Sequence, residues 1–483
     1  MQTPAVEFPV EVADEIAHGF VPNYFGTIDL GHKSRNRCFE RVAQQISRHP
    51  GGTLPDKLQH PNDYVAMDRL MNRPETTHAS VLASHYQRTR ERMEAHEGVV
   101  LILHDTTVLD YSGHKTLNLS AVGNGHGTGY LCHNSLAVDP ANREVFGLLS
   151  QILHQRVAVG KKEGVKKKRE RKTRESRLWS EAVTACPATP ADKQWVDICD
   201  RGADVFEFLA NEVRLGRQCV VRSMSNRSIR VGHDGNGKKT LLHDYLRTLP
   251  AMGVSHSKEI YDSVLEKERT AKLRVSYAAV EIMPPHVKKG EYEKKPIQAW
   301  AVRVWEEAPP AKGTKLEWLL LCLTPVTSAT QAWEKSDWYA CRWMVEEYHK
   351  AKKTGCQVED LQFRTEQALQ PMIGLLSVTA VMLLNLRQAA RRADAKERKA
   401  TEVVAPIYEE VLRGWRYKKK PRSEELSVYE FYLAVARLGG HMNRKSDGFP
   451  GWLTLWRGWQ KLESMVAGVE IDRQQRKRKR VQR

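Results

Sequence analysis

The amino-acid sequence predicts an α/β protein in which a mixed sheet is flanked by helices, with helical regions at both ends of the chain. Two short apolar runs, at 195–200 and 219–222, are separated by a helical segment at 203–215. A strand, a helix and a second strand within about 28 residues favour parallel pairing of the two strands. From about 223 to 335 apolar and polar residues alternate, which predicts a block of antiparallel strands.

The other elements follow from the same patterns. The run Val99–Leu103 is short, apolar and β-branched at its start, and it predicts a buried strand that ends at the polar residues after Leu103. A glycine-rich turn within 117–138 lies between two apolar segments, and a further strand is predicted at 146–159. Helical periodicity then continues through most of 336–395.

These patterns divide the chain into three regions. We predict a helical domain at 1–75, a catalytic-type α/β domain at 76–372 with a β insertion at about 223–335, and a helical region at 373–483. The core candidates of the first region are Val42, Ile46, Val65 and Leu70.

The composition points to a polyanionic partner. The 483 residues include 76 Lys and Arg against 58 Asp and Glu, so the net charge is +18, and such a surplus favours nucleic acid. The longest apolar run, Met372–Leu384, contains Ser377 and Thr379 and is shorter than the roughly 20 residues of a membrane-spanning helix, so no membrane is expected. The start of the chain, MQTPAVEFPVEV, carries acids where a signal peptide carries Lys or Arg. The 8 Cys form no C-x-x-C pair, which is typical of a reducing cytoplasm.

Two segments are strongly basic. The stretch 160–177, GKKEGVKKKRERKTRESR, has almost no apolar residue, and 473–483 reads RQQRKRKRVQR. The first predicts a loop or disordered insert. It is either a solvated loop or a non-specific phosphate binder whose affinity would depend on salt.

Two carboxylates follow predicted strands of the sheet. Asp105 comes just after the apolar run that begins at Val99, and Asp200 ends the run that begins at Trp195. A carboxylate at a strand end can hold a divalent cation at the rim of a sheet. The alternative for each residue taken separately is that the carboxylate caps the following turn.

A third pattern lies on a predicted helix at 337–353. At about 100° per residue, five polar residues fall within an arc of about 80° on one face; they are Tyr339, Arg342, Glu346, Lys350 and Lys353. A solvated helix with ion pairs one turn apart is the alternative. However, three aromatic residues flank the stripe, namely Trp338, Trp343 and Tyr348, and a purely solvated face does not need them.

Three carboxylates from two strand ends and one helix suit a site for two metal ions. Two Mg²⁺ ions about 4 Å apart activate an attacking oxygen and stabilise a leaving oxygen in phosphoryl transfer. Cations on the same helix face would hold the neighbouring phosphates.

The residues in these segments resemble a known family. The spacing Y-(2)-R-(3)-E-(6)-K is met by Tyr339, Arg342, Glu346 and Lys353, and the last three lie within RWMVEEYHKAKKTG. The blocks HDTTVLDY, CDRGADVF, VVRS, EWLLLCLTPV and VARLGGHM follow in the family's order. The chain resembles the DDE transposases of bacterial insertion sequences, in the hairpin-forming branch typified by the Tn-five transposase. The similarity extends from about residue 30 to 468.

The resemblance implies an RNase H-like catalytic core with Asp105, Asp200 and Glu346 as catalytic residues and metal ligands. Each active site would hold two Mg²⁺ ions, with Mn²⁺ as a substitute, and would cut and paste DNA. The steps would be strand nicking, hairpin formation, hairpin opening and strand transfer. The partners would be the terminal inverted repeats, target DNA and a second copy bound through the C-terminal helices. The location would be the bacterial cytoplasm, at the nucleoid.

The resemblance also implies DNA contacts. Matched residue by residue, Tyr339, Arg342 and Lys353 would contact the end DNA, with Lys350 as a weaker candidate. Trp318 would stack on a flipped base, Trp343 would support the same distortion, and Arg222 would reach a phosphate. The N-terminal domain matches only in fragments, and its candidate end-reading residues are Arg35, Arg37, Arg48 and Arg69.

Two other functions remain open. A catalytically silent DNA-binding regulator derived from a transposase would bind ends without cutting, and an RNase H-like nuclease would hydrolyse DNA without strand transfer. No nucleotide cofactor is expected, because GHDGNGKK at 232–239 carries Lys where a P-loop needs Ser or Thr. A zinc role for His104 is improbable, because no H-x-x-x-H pair is present.

Overall fold

A computed structural model describes residues 20–481 except 50, 59, 115, 158–170, 172, 286–293, 419, 421 and 445–446. Most of the basic stretch 160–177 therefore lies outside the described residues. In the described part of the chain, five helices come before the first strand: α1 (Phe20–Phe25), α2 (Lys33–Arg48), α3 (Leu54–Leu58), α4 (Pro61–Met71) and α5 (His78–Ala95).

The predicted α/β class is confirmed. In the described part of the chain, twelve strands form one mixed, mostly antiparallel sheet flanked by helices. The first six strands are β1 (Val100–Asp110), β2 (Ala121–Val122), β3 (Gly127–Val138), β4 (Val145–His154), β5 (Trp195–Cys199) and β6 (Gln218–Arg222). Helices α6 (Leu178–Ala185) and α7 (Phe206–Arg214) lie between them in sequence.

The two expected pairing modes are both present. Strands β1, β5 and β6 pair in parallel in that order, as the strand–helix–strand unit predicted. The second half of the sheet consists of β7 (Ser228–Val231), β8 (Lys239–Leu241), β9 (His256–Asp262), β10 (Lys267–Ile282), β11 (Ile297–Glu306) and β12 (Glu317–Cys322), with helix α8 (Leu242–Thr248) after β8. These strands pair antiparallel and join the first half through β12 and β6.

The predicted end of the first strand is wrong. Strand β1 continues to Asp110, because β3 pairs with it antiparallel all the way from Leu101 to Asp110. The backbone hydrogen bonds therefore extend past the apolar run, and Asp105 lies in the middle of the strand. By contrast, β5 pairs only with the first half of β1, through His104 opposite Cys199.

The predicted single helix at 337–353 is also wrong. Helix α9 (Ala329–Ala340) ends, a turn follows, and α10 (Trp343–Lys350) begins. In the turn, the amide of Arg342 bonds to the carbonyl three residues back instead of four. A π-helical turn, Ala351–Gly355, then continues from α10. The extra residue in that turn changes the direction of the side chains after Lys350.

The C-terminal part of the chain is helical. It contains α11 (Glu366–Arg391), α12 (Pro406–Arg416), α13 (Val428–Leu438) and α14 (Trp452–Val481). Among the described residues, α11 is long and apolar enough to cross a membrane, but 88% of its most apolar stretch is buried inside the protein. The sequence prediction rested on the apolar run Met372–Leu384, which is only a part of α11. The burial of α11 is what the core helix of a soluble protein shows.

One large core connects the ends of the chain to the sheet. A single cluster of buried apolar side chains contains residues of α1 and α2, of the sheet and of α11 to α14. Val42, Ile46 and Leu70 are buried in it as predicted, but Val65 is 44% exposed. Val65 lies on the side of α4 opposite the buried Met67, Leu70 and Met71.

Candidate active site

The pairing of β1 with β5 brings the two predicted aspartates to the same level. His104 lies opposite Cys199, so the next residues, Asp105 and Asp200, are neighbours where β5 ends and β1 continues. This point is the carboxyl edge of the parallel part of the sheet, where open sheets bind ligands. The two aspartates therefore lie side by side at this edge, although only β5 ends there.

Arg342 connects the sheet to the helix that bears Glu346. Its Nη1 donates to Oδ2 of Asp105 at 3.1 Å, and its Nη2 donates to Oε1 of Glu346. The turn between α9 and α10 places Arg342 just before the first residue of α10. One guanidinium thus bridges two of the three predicted carboxylates.

The electrostatic environment of Asp105 is strongly perturbed. Burial raises the pKa of this carboxyl to about 6; Arg342 opposes the rise, and the charges of Asp200 and Glu346 add to it. The three acids are therefore close enough to repel one another. A single guanidinium does not neutralise them fully.

Each aspartate also makes the local bond that the alternative interpretation predicted. Oδ1 of Asp105 accepts from the amide of Thr106 at 2.8 Å, and Oδ1 of Asp200 accepts from the amide of Gly202 at 2.8 Å. Asp200 thereby caps a short 3₁₀ turn after β5. These bonds orient the carboxylates and use only one oxygen of each.

The donor set fits a hard divalent cation by its chemistry. Carboxylate oxygens are the ligands that Mg²⁺ prefers, and burial, together with the charges of Asp200 and Glu346, raises the pKa of Asp105. In the arrangement described, however, no group of three His, Cys, Asp or Glu side chains among the described residues is close enough to hold a metal ion. Arg342 lies between Asp105 and Glu346 instead.

A buried polar row supports this edge of the sheet from below. Asn134 of β3 lies opposite Asp105, and its Nδ2 donates to Nε2 of His349 on α10 at 3.1 Å. Its Oδ1 accepts from Gln151 of β4 at 2.7 Å and from the fully buried Lys352 at 3.3 Å. The helix with Glu346 is thus tied to the sheet beside Asp105 a second time.

A second buried network joins β1 to β5 on the opposite face of the sheet. Nε2 of His104 donates to Asp197 at 2.8 Å, and Arg217 donates to both oxygens of Asp197 at 2.7 and 3.0 Å. Arg217 and His104 outweigh the effect of burial and hold the pKa of Asp197 below its ordinary value. These contacts fix the two strands on which Asp105 and Asp200 depend.

Two of the aromatic residues that were predicted to contact DNA, Tyr339 and Trp318, lie side by side. Tyr339, at the end of α9, is buried, and its ring meets Trp318 of β12 edge-on at a centroid distance of 5.2 Å. Nζ of Lys258 lies 6.0 Å from the Trp318 ring. Trp318 is only partly buried, so part of its surface is accessible.

The remaining candidates of the α/β region contact residues other than the three acids. Trp343 is 55% exposed, and Lys350 lies over its ring at 4.9 Å while pairing with Glu347 at 3.2 Å. Lys353 pairs with Glu359 at 3.0 Å, near the end of β1, because the π-helical turn directs it away from the stripe. Arg222, at the end of β6, donates to the carbonyl of Glu317 at 3.5 Å.

The N-terminal arginines do not form one cluster with these residues. Arg37 and Arg69 are exposed on α2 and α4. Arg35 pairs with Glu75 at 2.8 Å and donates to the carbonyl of Leu30. Arg48 is close enough to Tyr408 and Glu463 of the C-terminal helices to oppose the rise that burial causes in the pKa of both, so its charge lies near those helices.

Sequence reasoning did not identify Asn134, His349 or Lys352 as neighbours of the site. Their positions depend on the register of β1 with β3, which includes irregularities between β3 and β4, and on the π-helical turn. The signal available in the sequence was the spacing of His349 and Lys352, which lie about one turn apart and therefore on one side of a helix. No model of a known protein family matches the chain.

Proposed function

We propose that this chain is a cut-and-paste DNA transposase of the DDE type, with an RNase H-like catalytic domain and Asp105, Asp200 and Glu346 as its catalytic carboxylates. One observation carries the proposal: Arg342 bridges Asp105 and Glu346 beside the end of β5, where Asp200 lies. Acids from three distant segments of the chain therefore meet at one edge of the sheet.

The proposed cofactor is Mg²⁺, with Mn²⁺ as a substitute. Asp105, Asp200 and Glu346 would hold it, and when bound it would supply Lewis-acid activation of the attacking and leaving oxygens. The charges of Asp200 and Glu346, which add to the rise that burial causes in the pKa of Asp105, support this assignment. The chain's own part is to hold three carboxylates at one level with fixed orientation.

The cations around the acids would hold the DNA. Arg342 has two donors in a planar fork, and a phosphate is a better-matched partner for that fork than two separate carboxylates. In this proposal Lys350, Lys353 and Arg222 would contact the DNA backbone and position the strand without reading its sequence. Trp318, supported by Tyr339, would receive an unstacked base during hairpin formation.

All four steps of the proposed reaction are phosphoryl transfers. A water opens one strand and frees a 3′-hydroxyl, which attacks the opposite strand to close a hairpin. A second water opens the hairpin, and the freed 3′-hydroxyl joins target DNA. In each step one P–O bond forms as another breaks, so a single set of carboxylates serves the whole sequence. The ends would be terminal inverted repeats, and two copies of the chain would hold two ends.

The test is cleavage of a plasmid that carries the DNA flanking the gene, with Mg²⁺. Glu346→Gln should bind the ends as the wild type does and lose nicking to a few per cent or less, because it removes a carboxylate and little volume. The matched control is Glu334→Gln on α9, which changes an exposed carboxylate paired with Lys335 and should cleave normally.

The same experiment separates the other functions. Paired double-strand breaks with transient hairpin ends, in the wild type and the control, support the transposase. Specific end binding without cutting by the wild type would instead assign the chain as a regulator. Cutting without hairpins or strand transfer would assign it as a nuclease.

A further inference from the structure

A basic cavity lies at the C-terminal end of α11. It has a volume of about 500 Å³, and its lining combines cations with aromatic rings: Arg391, Arg392, Lys396, Tyr429 and Phe449, with Ala390 and Ala393. Pockets that enclose small organic ligands are roughly 300–1,000 Å³ in volume. None of these side chains belongs to the acids, the stripe or the N-terminal arginines discussed above.

Among the described residues, one of the three cations of this cavity has an acid paired with it, namely Arg392 with Asp394 at 3.4 Å. In the part of the chain that the structure describes, no carboxylate lies within salt-bridge distance of Arg391 or Lys396; their contacts are with rings. Arg391 lies 4.6 Å from the centroid of Phe449, and Lys396 lies 5.4 Å from that of Tyr429. Partial desolvation and, more weakly, repulsion from Arg143 lower the pKa of Arg391. Placing like charges together is unfavourable unless an anion joins them.

The preceding turn of α11 carries an arginine that, unlike Arg391, is paired with an acid. Arg387, one turn earlier, is paired with Glu347 and lies over the ring of Trp452 at 4.8 Å. Glu347 in turn accepts from the indole of Trp452 at 2.9 Å. That cation is neutralised inside the protein, whereas Arg391 faces the cavity and is exposed.

The position of the cavity relates it to the candidate active site. Glu347, the partner of Arg387, is the residue after Glu346, and Arg391 lies one helical turn, about 5.4 Å, beyond Arg387. Arg143 belongs to the turn between β3 and β4, and its charge is felt by both Arg391 and Cys341, which precedes Arg342. The cavity is therefore connected to α10 through the pair of Arg387 with Glu347.

We infer that this cavity binds a nucleotide unit of a DNA strand that extends from the active site, with its phosphate at Arg391 and Lys396 and its base against Phe449 and Tyr429. Cations that follow a backbone, next to rings on which bases stack, are the features of single-strand binding surfaces. An acidic peptide would use the cations but not the rings. The inference rests on the proposed function for the source of the strand.

The test measures DNA binding to the full chain, not cleavage. Fluorescent single strands and duplexes of unrelated sequence are titrated with wild type and with Arg391→Ala/Lys396→Ala between about 50 and 200 mM salt. For the single strand, losing two phosphate contacts should reduce the slope of log K against log salt by about 1.4. The matched control, Arg398→Ala/Lys399→Ala, removes two cations from the same segment that pair with Glu402 and Glu425, and it should keep the wild-type slope.

A second variant tests the rings separately. Phe449→Leu keeps an apolar side chain and removes the aromatic face, so it should weaken single-strand binding about fivefold or more and leave the salt slope unchanged, because stacking contributes roughly 1–3 kcal/mol per base. The thermal unfolding temperature of each variant is measured as well, and a value equal to that of the wild type shows that the variant is folded.

The outcomes distinguish this inference from the proposed function. If the wild type binds and cleaves DNA but Arg391→Ala/Lys396→Ala matches its control, only the inference is wrong. If dAMP binds in the cavity and the strands do not, the ligand is a free nucleotide and the inference is wrong. If the wild type binds no DNA, the proposed function fails and the inference fails with it.

Discussion

At the scale of single residues, the positive charge of Arg342 explains how three acids can lie close together. A cluster of carboxylates at a sheet edge is unfavourable without a cation, and the guanidinium supplies one charge shared between Asp105 and Glu346. Burial raises the pKa of Asp105, and the charges of Asp200 and Glu346 add to this rise although Arg342 opposes it. The residue that stabilises this arrangement is also the one best shaped to hold a phosphate, so in the proposed mechanism the arrival of DNA and of Mg²⁺ at the acids is coupled.

Trp318 offers a residue-scale prediction that separates two steps of the reaction. Trp318→Ala should nick as the wild type does but form several-fold fewer hairpins, because losing a stacked base costs roughly 1–3 kcal/mol. The measurement is the yield of nicked and hairpin products on denaturing gels over time. Trp305→Ala on β11, where Arg303 lies over the ring at 4.3 Å, is the control and should leave both yields unchanged. An equal loss of both products in Trp318→Ala would mean that the ring serves only packing.

The sequence was informative about residues whose position depends on local pattern. Asp105 and Asp200 were identified from apolar runs that end in acids, and Glu346 from a helical spacing. Asn134 and His349 could not be found in this way, because their proximity depends on which residue of β3 lies opposite Asp105. That register is set by pairing across the sheet, which a single sequence does not reveal.

At the scale of elements, the strands β1 and β5 are held in register by a charge network. His104 and Arg217 both contact Asp197, and all three side chains are buried. The parallel strands were predictable from the strand–helix–strand order. The break between α9 and α10 was not, because 340–343 contains neither Gly nor Pro. The π-helical turn has no sequence signal either, so Lys353 left the predicted stripe.

The network yields an element-scale prediction. Arg217→Met should lower the free energy of unfolding by about 3–5 kcal/mol, because it leaves the buried carboxylate of Asp197 without its main partner. Urea unfolding followed by fluorescence measures this change. The control is Arg90→Met, which breaks an exposed ion pair with Glu94 on α5 and should change the free energy by about 0.5 kcal/mol or less. If the two variants were equally stable, β1 and β5 would be held in register by the backbone alone.

At the scale of the whole molecule, the two ends of the chain pack into one core. Helices α1 and α2 share a buried apolar cluster with α11 to α14, and Arg48 at the end of α2 lies near Tyr408 and Glu463. The sequence predicted helices at both ends and the burial of Val42 and Ile46. It did not predict that the ends meet, because such long-range contacts leave no periodic pattern in the chain.

Glu463 makes this meeting of the ends sensitive to pH. The residue is buried on α14, and Tyr408 of α12 donates to its Oε1 at 2.9 Å. Burial raises the pKa of this carboxyl to about 7, against the opposing effects of Tyr408 and Arg48. A raised pKa in the folded state means that the protein favours the neutral acid. The stability that this provides is therefore complete below the unfolded pKa, about 4.3, and is lost as the pH rises through 7.

The corresponding variant is Glu463→Gln, which keeps the shape of the side chain and cannot ionise. Its stability relative to the wild type should rise by about 3 kcal/mol between about pH 4.5 and 8, because each pKa unit corresponds to about 1.36 kcal/mol. Urea unfolding at a series of pH values gives the difference directly. The control Ser464→Ala, at an exposed position of α14, changes no titratable group and should show a difference that does not vary with pH. If the Glu463→Gln difference were equally flat, the carboxyl would be ionised in the folded protein, with Arg48 as its counter-charge across the two ends of the chain.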